Sequence, residues 1–373
     1  MSLNISQSLT YSAPTSVLDG KVNFVSFKPQ KDVYKESETI DIKYSSNSEF
    51  AILSRSYHKF TINTTAVGTL STLGGYAVLN QLQEQLSGTT LPVSRNHFLK
   101  CGVLISNGTT DRKTIETLCA KAIFNSSTGV ATTVGGTIDV IIPFQCSFDY
   151  EDKIFPLAVC NGFKSTLSLN ASDQVVSVGT YTISNFETVL CMIEPEPSYL
   201  QEISNGLNSG STLKMPVKLT NSTTLYPNSA LTQNLLVNPG YQSSLNSVSL
   251  VLRETPLTNS NKLKSFYIML DSIRYPRNAV IKTDDRLESV YQLLAGYHTS
   301  FDHISVPDVS QVSHTYTFQS NGSFASGVAI SNGMIEIISE YTSAPSSASM
   351  EVILNYSGYL EISRNSVTLF TDV

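Results

Sequence analysis

Residues 141–170 read "IIPFQCSFDYEDKIFPLAVCNGFKSTLSLN". Two apolar segments anchored by Pro143 and Pro156 flank a compact acidic cluster, Asp149, Glu151 and Asp152, and the stretch closes on alternating apolar and hydroxyl residues. A run that alternates with period 2 after a Pro-marked corner is a strand, because successive strand side chains point to opposite faces and proline cannot donate to a ladder. The acidic cluster lacks the spacing of a calcium loop, and no glycine supplies that loop's sharp turn, so it reads as a solvated inter-strand corner.

The same signal recurs outward from this stretch. "VNFVSF" (22–27), "TIDIKYS" (39–45), "TIDVIIPF" (137–144), "HTYTFQ" (314–319), "MIEIISEY" (334–341) and "SMEVILNYSGYLEIS" (349–363) alternate or run in β-branched residues between Gly, Asn, Ser and Pro clusters. Many short strands without a regular helix between them predict antiparallel sandwiches and not a parallel α/β sheet. Two stretches read as short inserted helices. "TIETLCAKAIF" (114–124) and "RLESVYQLLAGYH" (286–298) gather their apolar residues on one helical face, the second with Asp284 and Asp285 at its start. The stretch at 76–91, "YAVLNQLQEQLSGTTL", suits either state, and the "SGTT" turn favours a strand.

Composition agrees. Across 373 residues only 14% are charged, well under the roughly 25% usual in soluble proteins, and Ser, Thr and Asn take their place. These residues compete for backbone hydrogen bonds in helices and favour turns and strand faces. The chain is long enough for two cores. A Pro/Gly/Asn/Ser-rich stretch at 193–211 reads as a linker, which predicts an N-terminal arm at 1–20 and two units at 21–205 and 206–373.

The formal net charge of −6 argues against a surface that neutralises phosphates, and the first 20 residues contain no Lys or Arg. No direct nucleic-acid binding is expected. That segment also lacks the pattern of a signal peptide, and no apolar run reaches the ~18 residues of a membrane span, so a soluble, unsecreted chain is expected. Cys101, Cys119, Cys146, Cys160 and Cys191 form no C-x-x-C pair and read as buried thiols in a reducing compartment. His58, His97, His298, His303 and His314 match no zinc spacing. With no nucleophile elbow, phosphate loop or dinucleotide fingerprint, no residue is assigned a catalytic, cofactor-binding or metal-ligating role, and no cofactor is expected. A carbohydrate-binding sandwich is the rival from another class; Trp is absent, and the 18 Tyr read mainly as strand-face packing.

The strand ending in "IIPF", the polar corner, "KIFPLAVCNGF" and the strand "KSTLSLN" resemble the end of the first jelly roll in double jelly-roll major capsid proteins. That lineage includes adenovirus hexons and the capsid proteins of tailless membrane-containing phages, virophages and polinton-like viruses. Residues 79–106, 248–298 and 348–370 resemble further stretches of that family in the right order, so the likeness covers most of the chain from about residue 76. The resemblance is one of pattern and order and includes no invariant motif. The chain is shorter than hexons, which implies modest loops. The resemblance implies an all-β double jelly roll with a few short inserted helices. It also implies a non-enzymatic role as major capsid protein of a tailless icosahedral DNA virus, assembled in the host cell and located in the virion. Its partners would be itself as a homotrimer, neighbouring capsomers, penton and minor capsid proteins and, where one exists, an internal membrane through other proteins. A penton or spike with a jelly-roll fold is the nearest alternative.

Overall fold

The computed structural model describes residues 21–71, 73–100, 131–132, 136–148, 154–160, 162–240, 244–255, 258–260, 262–277, 280–282, 313–318, 328–330, 333–345, 347–364 and 366–371. The expected N-terminal arm, both expected short helices, the Asp149/Glu151/Asp152 corner, Asp284, Asp285, Cys101, Cys119, His298 and His303 lie outside the described residues.

In the first half the strands are β1 (Val22–Phe27), β2 (Val33–Lys35), β3 (Thr39–Tyr44), β4 (Phe50–Thr64), β5 (Gly68–Thr69), β6 (Leu79–Leu86), β7 (Thr89–Thr90), β8 (Ala131–Thr132), β9 (Thr137–Pro143), β10 (Phe163–Leu169) and β11 (Tyr181–Ile193). The second half continues with β12 (Leu213–Leu225), β13 (Thr232–Val237), β14 (Ser244–Thr255), β15 (Thr258–Asn259), β16 (Leu263–Leu270), β17 (Ile273–Tyr275) and β18 (Ile281–Lys282). It ends with β19 (Ser313–Thr317), β20 (Val328–Ala329), β21 (Ile335–Tyr341), β22 (Ser349–Ile362) and β23 (Val367–Phe370). All the strands expected from the sequence are present, and the ambiguous stretch at 76–91 contains β6 and β7.

One sheet of the first half runs β1-β11-β4-β9, with β2 also on β11, and the other runs β3-β10-β6-β7. The second half repeats this order. Its larger sheet runs β12-β22-β14 with β19 on β14, and its smaller one β13-β21-β16-β17. Ranked along the chain, the eight principal strands of each half fall in the order first, eighth, third, sixth in one sheet and second, seventh, fourth, fifth in the other. That is the interleaved order of a jelly roll.

Alternation explains how each sheet finds its core. In β10 Phe163, Ser165, Leu167 and Leu169 are buried while Lys164, Thr166 and Ser168 are half-exposed, and in β3 Ile40, Ile42 and Tyr44 are buried between exposed neighbours. Register sets Phe163 opposite Tyr44, where the rings meet at 4.9 Å between centroids. Across the core the Tyr44 hydroxyl donates to Thr188 Oγ1 on the facing sheet at 3.3 Å. Pro143 is the last residue of β9, an edge strand, and Pro156 leads into a single 3-10 turn, Leu157–Val159, so both prolines sit where no ladder bond is lost.

The stretch expected as a linker differs from expectation. Within it a helix, α1 (Pro197–Asn208), joins the sandwiches and spans the boundary expected between 205 and 206. Proline at the first helical turn costs no hydrogen bond there, and Tyr199, Leu200, Ile203 and Leu207 recur at helical spacing, a pattern outweighed in the sequence by the surrounding turn-forming residues.

Candidate functional site

The most constrained polar region among the described residues is the seam between the sandwiches. Both long central strands of the second sandwich are buried on two faces, Ser244–Arg253 on β14 and Met350–Gly358 on β22. Leu245, Val248, Leu250 and Leu252 supply the apolar core side of β14. Register places Ser247 opposite Asn355 and Thr317, and Ser249 opposite Ile353 and Thr315, so the other face is a buried hydroxyl and amide layer. It is internally bonded: Asn355 Nδ2 donates to Ser247 Oγ at 2.9 Å, and Ser249 and Thr315 share a hydroxyl bond of 2.8 Å. Buried polar groups satisfied in this way avoid the cost of an unmet donor or acceptor.

The first sandwich covers part of that layer with residues just beyond its β6–β7 hairpin. Ser222 Oγ donates to the Arg95 carbonyl at 2.9 Å, and Asn96 Nδ2 donates to Glu351 Oε2 at 3.0 Å. Thr224 Oγ1 donates to the same carboxylate oxygen at 2.7 Å. Arg253 lies over the Phe98 ring at 5.4 Å and donates from Nη1 to Gln174 Oε1 at 3.2 Å. Because Val251 pairs with Glu351, Arg253 is the diagonal neighbour of that carboxylate on the same face. Burial raises the Glu351 pKa, with the Thr224 bond and the Arg253 charge working against it; burial likewise holds Arg253 below its ordinary value. Backbone joins too, with Lys218 N–H donating to the Ser147 carbonyl at 2.8 Å.

This arrangement joins the two sandwiches and, among the described residues, brings no nucleophile to a base. His58 is wedged between Phe144 and Phe186 with Nδ1 2.9 Å from Thr188 Oγ1, and burial pushes its pKa down to about 3. His97 and His314 are also buried and lowered, the latter to about 4. Cys146, Cys160 and Cys191 are buried and outside any disulfide, and burial pushes the Cys160 pKa up to about 12, opposite to what a reactive thiolate needs. Among the described residues no group of three or more His, Cys, Asp and Glu could hold a metal ion, and no helix is long and apolar enough to cross a membrane. The rings of Tyr34, Tyr44, Tyr76, Tyr181, Tyr341 and Tyr356 are core. Sequence reasoning missed the Arg253–Glu351 seam. The one available signal was charge at strand positions flanked by apolar residues, in "LVLRET" and "SMEVIL".

Two jelly rolls of one strand order, packed side by side in a single chain, define a double jelly roll. Solved structures of viral capsid proteins have this fold. PBCV-1 VP54, fitted into a reconstruction of the virophage Sputnik, matches with a TM-score of 0.67 at 10% identity over 98% of this chain and 99% of that one. The Faustovirus major capsid protein matches at 0.61 and 9% identity, over 95% and 92%. The mavirus major capsid protein matches at 0.57 and 11% identity, over 99% and 93%. No protein-family model and no curated protein sequence matches the chain.

Proposed function

We propose that this chain is the major capsid protein of a tailless icosahedral DNA virus and that its role is to build the virion shell, without catalysis. The observation that carries this reading is the pairing of two jelly rolls of identical strand order, matched over nearly the full length of viral major capsid proteins. A penton or spike reading fits less well, because it needs only one such sandwich.

The assembly follows from shape. A shell plane packed in six-fold fashion needs hexagonal tiles, and three copies of a two-lobed chain closed into a ring present six lobes. The homotrimer is therefore the capsomer, with the first jelly roll of one copy meeting the second of the next. We take 21–205 and 206–373 as the two jelly rolls and 1–20 as an arm. Capsomers would meet one another and, at the shell's vertices and seams, penton and minor proteins; any internal membrane would be reached through those. The net charge of −6 fits a tile that does not hold the genome directly.

Light scattering on the purified protein should report three times the 40.7 kDa chain mass at micromolar concentration, and negative-stain images should show hexagonal outlines. Interfaces of such obligate rings bury on the order of 2,000 Å² or more per pair. A stable monomer overturns the capsid reading, and a pentamer points to a penton.

A further inference from the structure

Since both sandwiches have one strand order, the seam inside the chain is a template for how such a unit sits on its neighbour. At that seam the first sandwich's hairpin edge meets the second sandwich's larger sheet: Thr89, the residue after the β6–β7 turn, donates from Oγ1 to the carbonyl of Val367 on β23 at 2.5 Å. The second sandwich has the same hairpin. Leu86 pairs with Thr89 across Ser87 and Gly88, and Leu270 pairs with Ile273 across Asp271 and Ser272, with positive φ at all four turn residues. Ile273 thus stands where Thr89 stands. On the receiving side, the place just after the last long strand, held by β23 in the second sandwich, is held by α1 in the first.

Both of these surfaces carry exposed apolar side chains. Ile273 is 47% exposed, and Val280 further along the same edge is 36% exposed. On β1, an edge strand, Phe24 is 62% and Val22 47% exposed, whereas on β12, its counterpart in the second sandwich, Thr220 and Ser222 are buried beneath the seam. Register sets Val22 beside Ile193 and Ile193 beside Phe50, whose ring meets Tyr199 of α1 at 6.3 Å, so β1 and the helix form one continuous surface. Tyr199, Leu200, Ile203 and Leu207 give α1 an apolar side that the chain leaves half-buried. A globular helix normally covers such a stripe.

We propose that the Ile273 hairpin of one copy seats on the Phe24–α1 surface of the next copy, a heterologous contact that rests on the assembly reading above and identifies the two surfaces that make it. The test is a complementation between Phe24→Asp and Ile273→Asp, both surface changes that should leave circular dichroism unaltered. Each variant alone is expected to sediment as a single chain. Mixed in equal amounts they should form a two-chain species and stop there, because the first keeps its hairpin and the second keeps its receiving surface. Phe24→Leu and Ile273→Val should assemble like the wild type, and Val22→Asp with Val280→Asp gives a second pair if either acidic variant fails to fold. Variants that assemble normally, or a mixture that stays monomeric, overturn this pairing while leaving the ring intact. A wild-type chain that is itself monomeric removes the pairing and the assembly reading together.

Discussion

At the scale of single residues the buried ionisable groups set how the protein responds to acid. His58, His97 and His314 are neutral in the fold, and burial holds their pKa values below 6.5, to about 3 for His58 and about 4 for His314. The unfolded chain takes up these protons first, so stability falls as pH drops through about 6.5, by roughly 1.4 kcal/mol per pH unit for each histidine until its folded pKa is reached. Glu351 works the other way. Its folded pKa is raised, so acidification favours the fold between that value and the ordinary 4.5. Half-exposed carboxylates such as Glu187 and Glu340 are held low by hydrogen bonds and lysines, so their loss begins only below 4.5. Between about pH 6.5 and 5 three histidines lose stability against one glutamate that gains it, so the histidines dominate. The urea midpoint should drop between about pH 7 and 5, and less in His314→Gln; a level or rising midpoint would contradict this account.

At the scale of elements two glycines separate backbone strain from crowding. Gly88 has φ +88 in the β6–β7 turn, and a Cβ there meets nothing within 4 Å. Gly75 lies in the buried 3-10 turn Gly74–Val78, and a Cβ there would stand 2.2 Å from Cγ1 of the buried Val140 on β9. Gly88→Ala should thus cost about 1 kcal/mol through its left-handed backbone alone. Gly75→Ala should cost about 2 kcal/mol, because the 3-10 turn and β9 must move apart. Equal losses in urea titrations of the two variants would show that the turn, and not the packing, governs both. The first hairpin was legible as a turn from its residues, "SGTT" after an alternating run, whereas the Asp271–Ser272 turn was not. Helix α1 was not, since its apolar residues sit among Pro, Gly, Asn and Ser that elsewhere in this chain mark turns.

At the scale of the whole molecule the seam decides whether two sandwiches behave as one body. Asn96 of the first sandwich and Thr224 of the second both donate to the buried Glu351 carboxylate, with the buried Arg253 as its diagonal neighbour. Removing the Glu351 carboxylate takes away the acceptor of Asn96 and Thr224 and leaves the buried Arg253 charge without its nearby counter-charge, at a cost of about 3 kcal/mol. Glu351→Ala should lower stability by about that amount. It should also turn a single unfolding step, followed by circular dichroism in urea, into two. A single step at unchanged midpoint would place the cohesion elsewhere. The same layer explains the low charge content: strands buried on both faces have no water to solvate Lys or Glu, while Ser, Thr and Asn can bond to one another there.

The sequence by itself determined the strands, their inward and outward faces and the all-β class, because those depend on local alternation and turn chemistry that each segment carries alone. Ile335, Ile337 and Tyr341 alternate with half-exposed Glu336 and Glu340 whatever lies beyond them. Only the tertiary structure decided which strands pair, that both halves share one order, and that Arg253 and Glu351 meet at a seam. Those facts depend on contacts between residues far apart in the chain. A polar residue on a strand reads the same in sequence whether water or a second sandwich covers it: Ser249 is buried and Ser26 exposed, and nothing in their immediate neighbours tells them apart.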